Sequence, residues 1–342
     1  MSEPLVLVTG CTGFVAKHCI AELLRRGFRV RGTARDAERG VIALRGALGH
    51  AGIDSRTVEV MTADLERDAG WEQAVRGVSY VLHVASPFPI EQPKDREALV
   101  RPARDGALRV LAAATAARVP RVVMTSSTVA VMYVASPRPG HVYTEADWTD
   151  PARPDITPYM ASKTIAERAA WDYVRATPGA PELVTVNPGF IQGPALDTDL
   201  STSLEVHRLM GKGAYPGAPR ISFPVADVRD VAELHVAALT HPAAAGERFI
   251  AANGTTSLMG IGRIIAAALP DLARKVPRFE LPDMAVRGLA KFDKRLVAVL
   301  PELGAERVCD NAKARRVLGH AFRPAEQAIR DGALSLRTLG VI

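Results

Sequence analysis

The chain has 342 residues, 48% hydrophobic and 23% charged, with a formal net charge of +6. That length allows a large core in one or two domains, and nothing in the composition is low-complexity or disordered. The basic excess is diffuse rather than a stripe interleaved with stacking aromatics, which argues against nucleic acid as a partner. Cys11, Cys19 and Cys309 have no metal-ligand or disulfide spacing, so no metal is expected. The opening MSEPLVLVTG reaches its apolar run without a basic leader. No apolar stretch approaches the ~20 residues needed to span a bilayer. A soluble, cytoplasmic protein with no membrane partner is expected, and the sequence leaves its oligomeric state open.

In chain order, Leu5-Val6-Leu7-Val8 is a continuous apolar run, as a strand buried on both faces should be. A helix through Ile20, Leu23 and Leu24 follows and ends at Gly27. Next come a strand over 28–34, a helix to about residue 50, a strand over 57–63, a short helix near Trp71 and a strand over 78–85. A long Ala-rich helix is expected over about 95–118, stopped at Pro120, then a strand over 121–127. A helix over about 158–176 leads into a strand over 182–188. This alternation predicts an α/β fold, a Rossmann-type doubly wound parallel sheet. Ligands bind such sheets outside the carboxyl ends of the strands, which directs attention to the loops at Gly10, Arg35, Asp64, Ala85, Ser127 and Pro188. Beyond Gly189, Gly- and Pro-bearing loops separate shorter helices, with another strand at 248–252. Residues 1–188 are expected to form the dinucleotide-binding domain, with 223–252 returning to it. Residues 189–342 are expected to be mainly a smaller, partly interleaved substrate-binding lobe.

The turn TGCTGFVA (9–16) lies between the first strand and the first helix. Gly10 and Gly13 permit a tight turn and close backbone approach to a pyrophosphate, and the helix beyond offers free N–H groups and a positive dipole end. Arg35, with Arg39 one turn on, stands at the end of the second strand, where an acidic residue would select NAD and an arginine NADP. The alternative is a pair of surface arginines, one facing Asp36. Asp64 is suited either to an adenine amino group or to capping a helix.

Tyr159 and Lys163, at i and i+4 in TPYMASKTIAE (157–167), share a helix face. A phenol with a pKa of about 10 is a poor acid or base at neutral pH, and an ammonium beside it is expected to lower that value. One charge at ~4 Å supplies about 4 kcal/mol at an effective dielectric of 20, roughly what a shift toward neutrality requires. Ser127, past the fifth strand in MTSSTVA, is placed to hold a reacting oxygen; Ser126 competes for that role, and strand-end serines often merely cap or turn. His83 reads as structural, Trp71, Trp148 and Trp171 as packing residues, and Glu167 as a solvated helix partner.

These residues together resemble the extended short-chain dehydrogenase/reductase family, in its dihydroflavonol-4-reductase-like group of aldehyde and ketone reductases. The matching stretches are VTGCTGFVAKH, GTARDAER, TADL, VLHVASPF, VVMTSS, YMASKTIAERAAW, TVNPGFIQGP and DNAKARRVLG. The resemblance implies an NADPH-dependent reduction of an aldehyde or ketone. Ser127 would orient the carbonyl, Tyr159 would act as general acid, and Lys163 would bind the nicotinamide ribose and tune the phenol. Gly10, Thr12, Gly13, Phe14, Val15, Arg35, Arg39, Asp64, Leu65, Ala85, Tyr159, Lys163, Pro188 and Ile191 would contact NADP. Phe88, Ser127 and Tyr159 would face the substrate. Where many family members carry an asparagine in the long central helix for a proton relay, the corresponding position here reads as Asp105, so that either the relay runs through water or the register of the correspondence is shifted. A hydroxysteroid-type dehydrogenase and a non-catalytic dinucleotide sensor of the same fold are the rival readings.

Overall fold

The computed structural model describes residues 3–87, 95–292 and 299–342; Phe88 lies outside them. The first half runs β1 (Leu5–Val8), α1 (Phe14–Arg25), β2 (Arg29–Ala34), α2 (Ala37–His50), β3 (Glu59–Thr62), α3 (Trp71–Val75), β4 (Tyr80–His83), α4 (Glu97–Ala116) and β5 (Arg121–Thr125). A two-residue strand, β6 (Val142–Tyr143), precedes α5 (Pro158–Ala176), β7 (Glu182–Pro188) and β8 (Phe190–Gln192). Then follow α6 (Thr202–Gly211), β9 (Ala218–Pro219), β10 (Ser222–Asp227), α7 (Val228–Thr240), β11 (Arg248–Ala251), β12 (Thr255–Ser257) and α8 (Leu258–Ala268). The chain ends with β13 (Glu280–Leu281), α9 (Asp283–Leu289), β14 (Val308–Cys309) and two helices, α10 (Ala312–Leu318) and α11 (Ala325–Thr338).

Seven strands form one sheet in the order β11-β7-β5-β4-β1-β2-β3, and every neighbouring pair is parallel. The order reverses direction at β1, which puts the switch-point crevice between β1 and β4, where open α/β sheets bind ligands. β1 and β5 are buried along their whole length, as strands covered by helices on both faces must be. On one face Ile20 and Leu23 of α1 and Val231 and Leu234 of α7 meet the sheet; on the other, Ala103, Val110 and Leu111 of α4 and Ala166 and Ala170 of α5 do. The Ala-rich faces of α4 and α5 let these two helices lie close along each other. Arg121 ties the layers together. It pairs with Glu182 across the strand ends and donates to the carbonyls of Ala238, Leu239 and His241, satisfying the orphan acceptors at the end of α7.

The predicted strands were too long at their carboxyl ends. The residues expected to finish them (Ser126 and Ser127 after β5, Val84 and Ala85 after β4) lie instead in the loops that build the crevice. Within the stretch 223–252, β10 joins a three-stranded sheet, β12-β10-β8, while β11 extends the large one. The chain therefore steps from the large sheet to the small one between Pro188 and Phe190. Gly189 makes that step possible, because a Cβ there would stand 2.2 Å from the carbonyl oxygen of Pro224. The small sheet packs against α8 and α11 around Ile221, Val225, Ile261, Ile265, Ile329 and Ala333.

A loop returns from β8 to the large domain. Lys17 of α1, only 2% exposed, pairs with Asp197 at 2.5 Å, and His18 Nε2 lies 2.9 Å from the Pro194 carbonyl oxygen. The segment between β8 and α6 is thereby fastened to the helix that follows the glycine turn.

Gly189→Ala should lower the unfolding free energy by about 1–3 kcal/mol, the usual cost of overpacking, as read by urea denaturation. Gly288→Ala in α9, where an added Cβ meets nothing within 4 Å, should be neutral or stabilise by up to ~1 kcal/mol.

Candidate active site

The glycine turn is set by close packing. Gly10 has φ +65, and a Cβ on it would fall 2.9 Å from the Cβ of Ala85, so the loop after β4 lies directly against the loop after β1. Thr9 locks the two together. Its Oγ accepts from the N–H groups of Val84 and Ala85, both at 3.0 Å, and so turns its hydrogen to His83 Nδ1, also at 3.0 Å. The Gly13 N–H returns to the Gly10 carbonyl. Gly13 then serves as N-cap of α1 with no side-chain cap, and the first turn of that helix carries no acidic residue. Thr12 is partly buried in the turn, and Phe14 and Val15 open the helix, Val15 packing on the core and Phe14 edge-on to His18.

Arg35 and Arg39 are both exposed beyond the end of β2. Asp36 between them caps α2 by accepting from the Arg39 N–H, and its carboxylate lies 3.4 Å from the Arg39 guanidinium. Asp64 caps no helix: its carboxylate accepts from the Glu66 N–H to form a tight turn, while Gly70 precedes α3. Leu65 packs on the core beneath this turn, and Trp71 donates to the Asp64 carbonyl. Pro188 ends β7 opposite Ala251, and Ile191 lies in β8 opposite Ala226, partly buried against the core. Asp105 is half-exposed on α4 and paired with Arg104 at 2.7 Å.

Helix α5 begins as the sequence dictates. Thr157 caps it by accepting from the Met160 N–H, and Pro158, which has no N–H to lose, takes the first position. Tyr159 and Lys163 then project from one face. The Tyr159 hydroxyl is hydrogen-bonded to the Ser127 side chain. Ser127 also accepts from the Val129 N–H at 3.3 Å and faces the Pro188 carbonyl at 3.4 Å. Lys163 is buried one turn further along. Ser126 points the other way and donates to Glu167 at 2.5 Å.

Two expectations need correcting. Burial holds the Tyr159 phenol above its ordinary value of 10.0, and the bond with Ser127 offsets this only in part. The lysine charge does not bring the expected lowering, and desolvation, which disfavours the phenolate, sets the direction. The same burial drives Lys163 down to about 8, against the opposing pull of the Glu167 charge. Glu167, expected in solvent, is fully buried. Its sequence gives one signal that it belongs with the site: 159, 163 and 167 continue the same i, i+4 series. Asn187, which donates both to Glu167 and to the Ser127 carbonyl, had no such signal.

His83 is buried with its pKa lowered to about 3, by desolvation first and the Lys163 charge second. It is a neutral spacer between β4 and Thr9. Among the described residues, one group of potential metal ligands comes together, Asp230, Glu233 and His320. The Arg323 guanidinium already pairs with both carboxylates.

A parallel sheet whose first strand opens through a glycine turn onto an uncapped helix, with a tyrosine and a serine meeting beside it, has the layout of a dinucleotide-dependent α/β enzyme. Residues 6–252 match the NAD dependent epimerase/dehydratase family. The chain is 34% identical to a ketoreductase, azaE, of Aspergillus niger, across 97% of both chains. It is 30% identical to cinnamoyl-CoA reductase CAD2 of Medicago truncatula, across 97% of this chain and 95% of that one. The crystal structure of yeast methylglyoxal/isovaleraldehyde reductase Gre2 complexed with NADPH superposes with a TM-score of 0.78 at 27% identity, covering 99% of this chain and 100% of that chain. The protein belongs to the NAD-dependent epimerase/dehydratase family, the extended short-chain dehydrogenases/reductases, and is an oxidoreductase. No helix among the described residues is long and apolar enough to cross a membrane.

Four buried histidines predict acid sensitivity. His18, His207 and His235 are lowered by burial to about 4, and His83 to about 3. Each titrates at about 6.5 when unfolded. The unfolded chain thus binds the extra protons, and stability that is complete above that value drains away as pH falls toward the folded values. Each histidine contributes a slope of about 1.4 kcal/mol per pH unit in that window. Urea midpoints should fall steadily from pH 7 to pH 5; a flat profile would show that these side chains are solvated.

Proposed function

We propose that the protein is an NADPH-dependent carbonyl reductase that converts an aldehyde or ketone to an alcohol with Tyr159 as general acid. One observation carries the proposal: the Tyr159 phenol is hydrogen-bonded to Ser127 at the carboxyl edge of β5, with Lys163 buried one turn behind. The reductase relatives and the NADPH-bound neighbour support the same class.

The residues present fit a dinucleotide. The first turn of α1 has neither side-chain cap nor carboxylate, so its N–H groups and dipole are left for an anion. Gly10 gives a pyrophosphate the close approach that a Cβ would deny. The Arg35 guanidinium, with Arg39 beside it, suits a 2′-phosphate better than a free ribose hydroxyl. Residues 1–188, with α7 and β11 of the returning stretch 223–252, would form the cofactor half, and the rest of 189–342, including β10, mainly the substrate half. NADPH would supply the hydride to the carbonyl carbon.

The protein's own groups manage the oxygen. Ser127 donates a hydrogen bond to it and fixes its position. Tyr159 holds the proton that the new alkoxide needs. A phenol kept above its ordinary pKa stays protonated at neutral pH, which suits reduction, since the acid must arrive charged with its proton. Lys163, as an ammonium, lowers the cost of the phenolate left behind and offers donors to the nicotinamide ribose.

Purified protein should consume NADPH with several members of a panel of aldehydes, aryl ketones, β-keto esters and a dihydroflavonol. Tyr159→Phe should lower kcat by about 10²–10⁴ with NADPH affinity unchanged. No turnover of any substrate by a protein that binds NADPH would replace the reductase reading with that of a sensor.

Arg35→Ala should weaken NADPH binding by roughly ten- to a hundredfold and NADH binding little, as expected for one charge-assisted contact. Equal losses for both would remove the 2′-phosphate assignment.

A further inference from the structure

Glu167 has no exposed surface, yet donors from four elements surround it. Oε2 accepts from Ser126 Oγ at 2.5 Å and Asn187 Nδ2 at 2.8 Å. Oε1 accepts from Thr185 Oγ1 at 3.0 Å, Arg248 Nε at 2.7 Å and Trp171 Nε1 at 3.3 Å. These donors sit immediately behind the site. Ser126 is bonded to Ser127 in the chain, and Asn187 precedes Pro188 and also holds the Ser127 carbonyl at 3.2 Å. Arg248, in turn, is stacked over Trp148 at 3.7 Å and donates to the carbonyls of Glu145 and Asp147. A buried carboxylate kept for stability alone would be a poor choice, since its desolvation offsets most of the Coulombic gain.

We propose that Glu167 is a positioning residue for both halves of the site: it fixes the strand end that carries Ser127, and it supplies the buried counter-charge that keeps Lys163 an ammonium. The inference rests on the reductase reading for its catalytic consequence. Lys163 and Glu167 stand one turn apart, both buried on the same face of α5, with Tyr159 one turn earlier; from the other elements His83 on β4 lies within the field of Lys163 and Arg248 on β11 pairs with Glu167. His83 is neutral above about 3. On α4, packed along α5, Arg104 and Asp105 pair with each other. Arg248 is engaged by the Glu167 carboxylate itself.

The test uses the full chain and two readouts. The Lys163 amine is titrated by NMR in protein labelled with ¹⁵N-lysine, its signal assigned by its loss in Lys163→Met. In the wild type it should lose its proton near pH 8. In Glu167→Gln the titration should move down by about one pH unit or more, the scale of one buried counter-charge. The alkaline limb of kcat should move with it, while Glu167→Asp should restore the limb even where kcat is only partly recovered. Because Glu167→Gln leaves Arg248 unpaired, Glu167→Gln/Arg248→Met is titrated beside it: losing the more distant cation offsets part of the change, so the lysine titration should still fall, by less, and an unmoved value in the folded pair counts against the proposal as well. An unmoved lysine titration in the folded variant overturns the proposal, and so does a limb that stays in place while the lysine shifts. A lysine titration that falls in Glu167→Gln as stated, in a protein whose wild type reduces no carbonyl, would leave Glu167's electrostatic role standing and defeat the reductase reading instead.

Discussion

The structure turns on one buried ion pair. Glu167 of α5 and Arg248 of β11 meet at 2.7 Å with side chains 0% and 9% exposed, and around them Ser126, Thr185 and Asn187 complete the hydrogen bonding. Pairing of this kind adds little net stability, because taking both charges out of water costs nearly as much as they regain. It does demand a particular geometry: with either partner displaced, the other is left charged in a low-dielectric interior. The register of α5 over β5 and β7 is therefore held to one arrangement, and Tyr159, two turns before Glu167, meets Ser127 in that arrangement.

The other side of the crevice is held by a different means. Thr9 joins the ends of β1 and β4 through three hydrogen bonds, and Gly10 lets the two loops touch. Neither device uses charge, which leaves the first turn of α1 free to meet an anion. The two halves are built differently: neutral close packing around the glycine turn, and compensated buried charge behind the Tyr159–Ser127 pair.

Much of the fold was legible because its signals are local. A parallel strand covered on both faces shows up as an unbroken apolar run, as in Leu5–Val8, and α5 was read to its ends because Thr157 and Pro158 mark its start. Strand ends were overread because serine, threonine and valine continue the β-rich pattern into loops whose job is to leave the sheet. The environment of Glu167 was hidden, since its partners lie up to 81 positions away and a glutamate four residues after a lysine looks the same on a solvated helix. The Tyr159 pKa was misjudged for a related reason. A sequence shows which charges are near in the chain, but not how much water the fold removes.

The tether between Lys17 and Asp197 has a mechanical consequence. The segment after β8 cannot swing away from α1 without stranding an ammonium that is 2% exposed, at a cost of roughly 3–5 kcal/mol for a buried charge left alone. The helix after the glycine turn and the segment between β8 and α6 are therefore tied to each other. One charge pair and one histidine contact thus act as a staple that joins the helix after the glycine turn to a stretch 176 to 180 residues later in the chain.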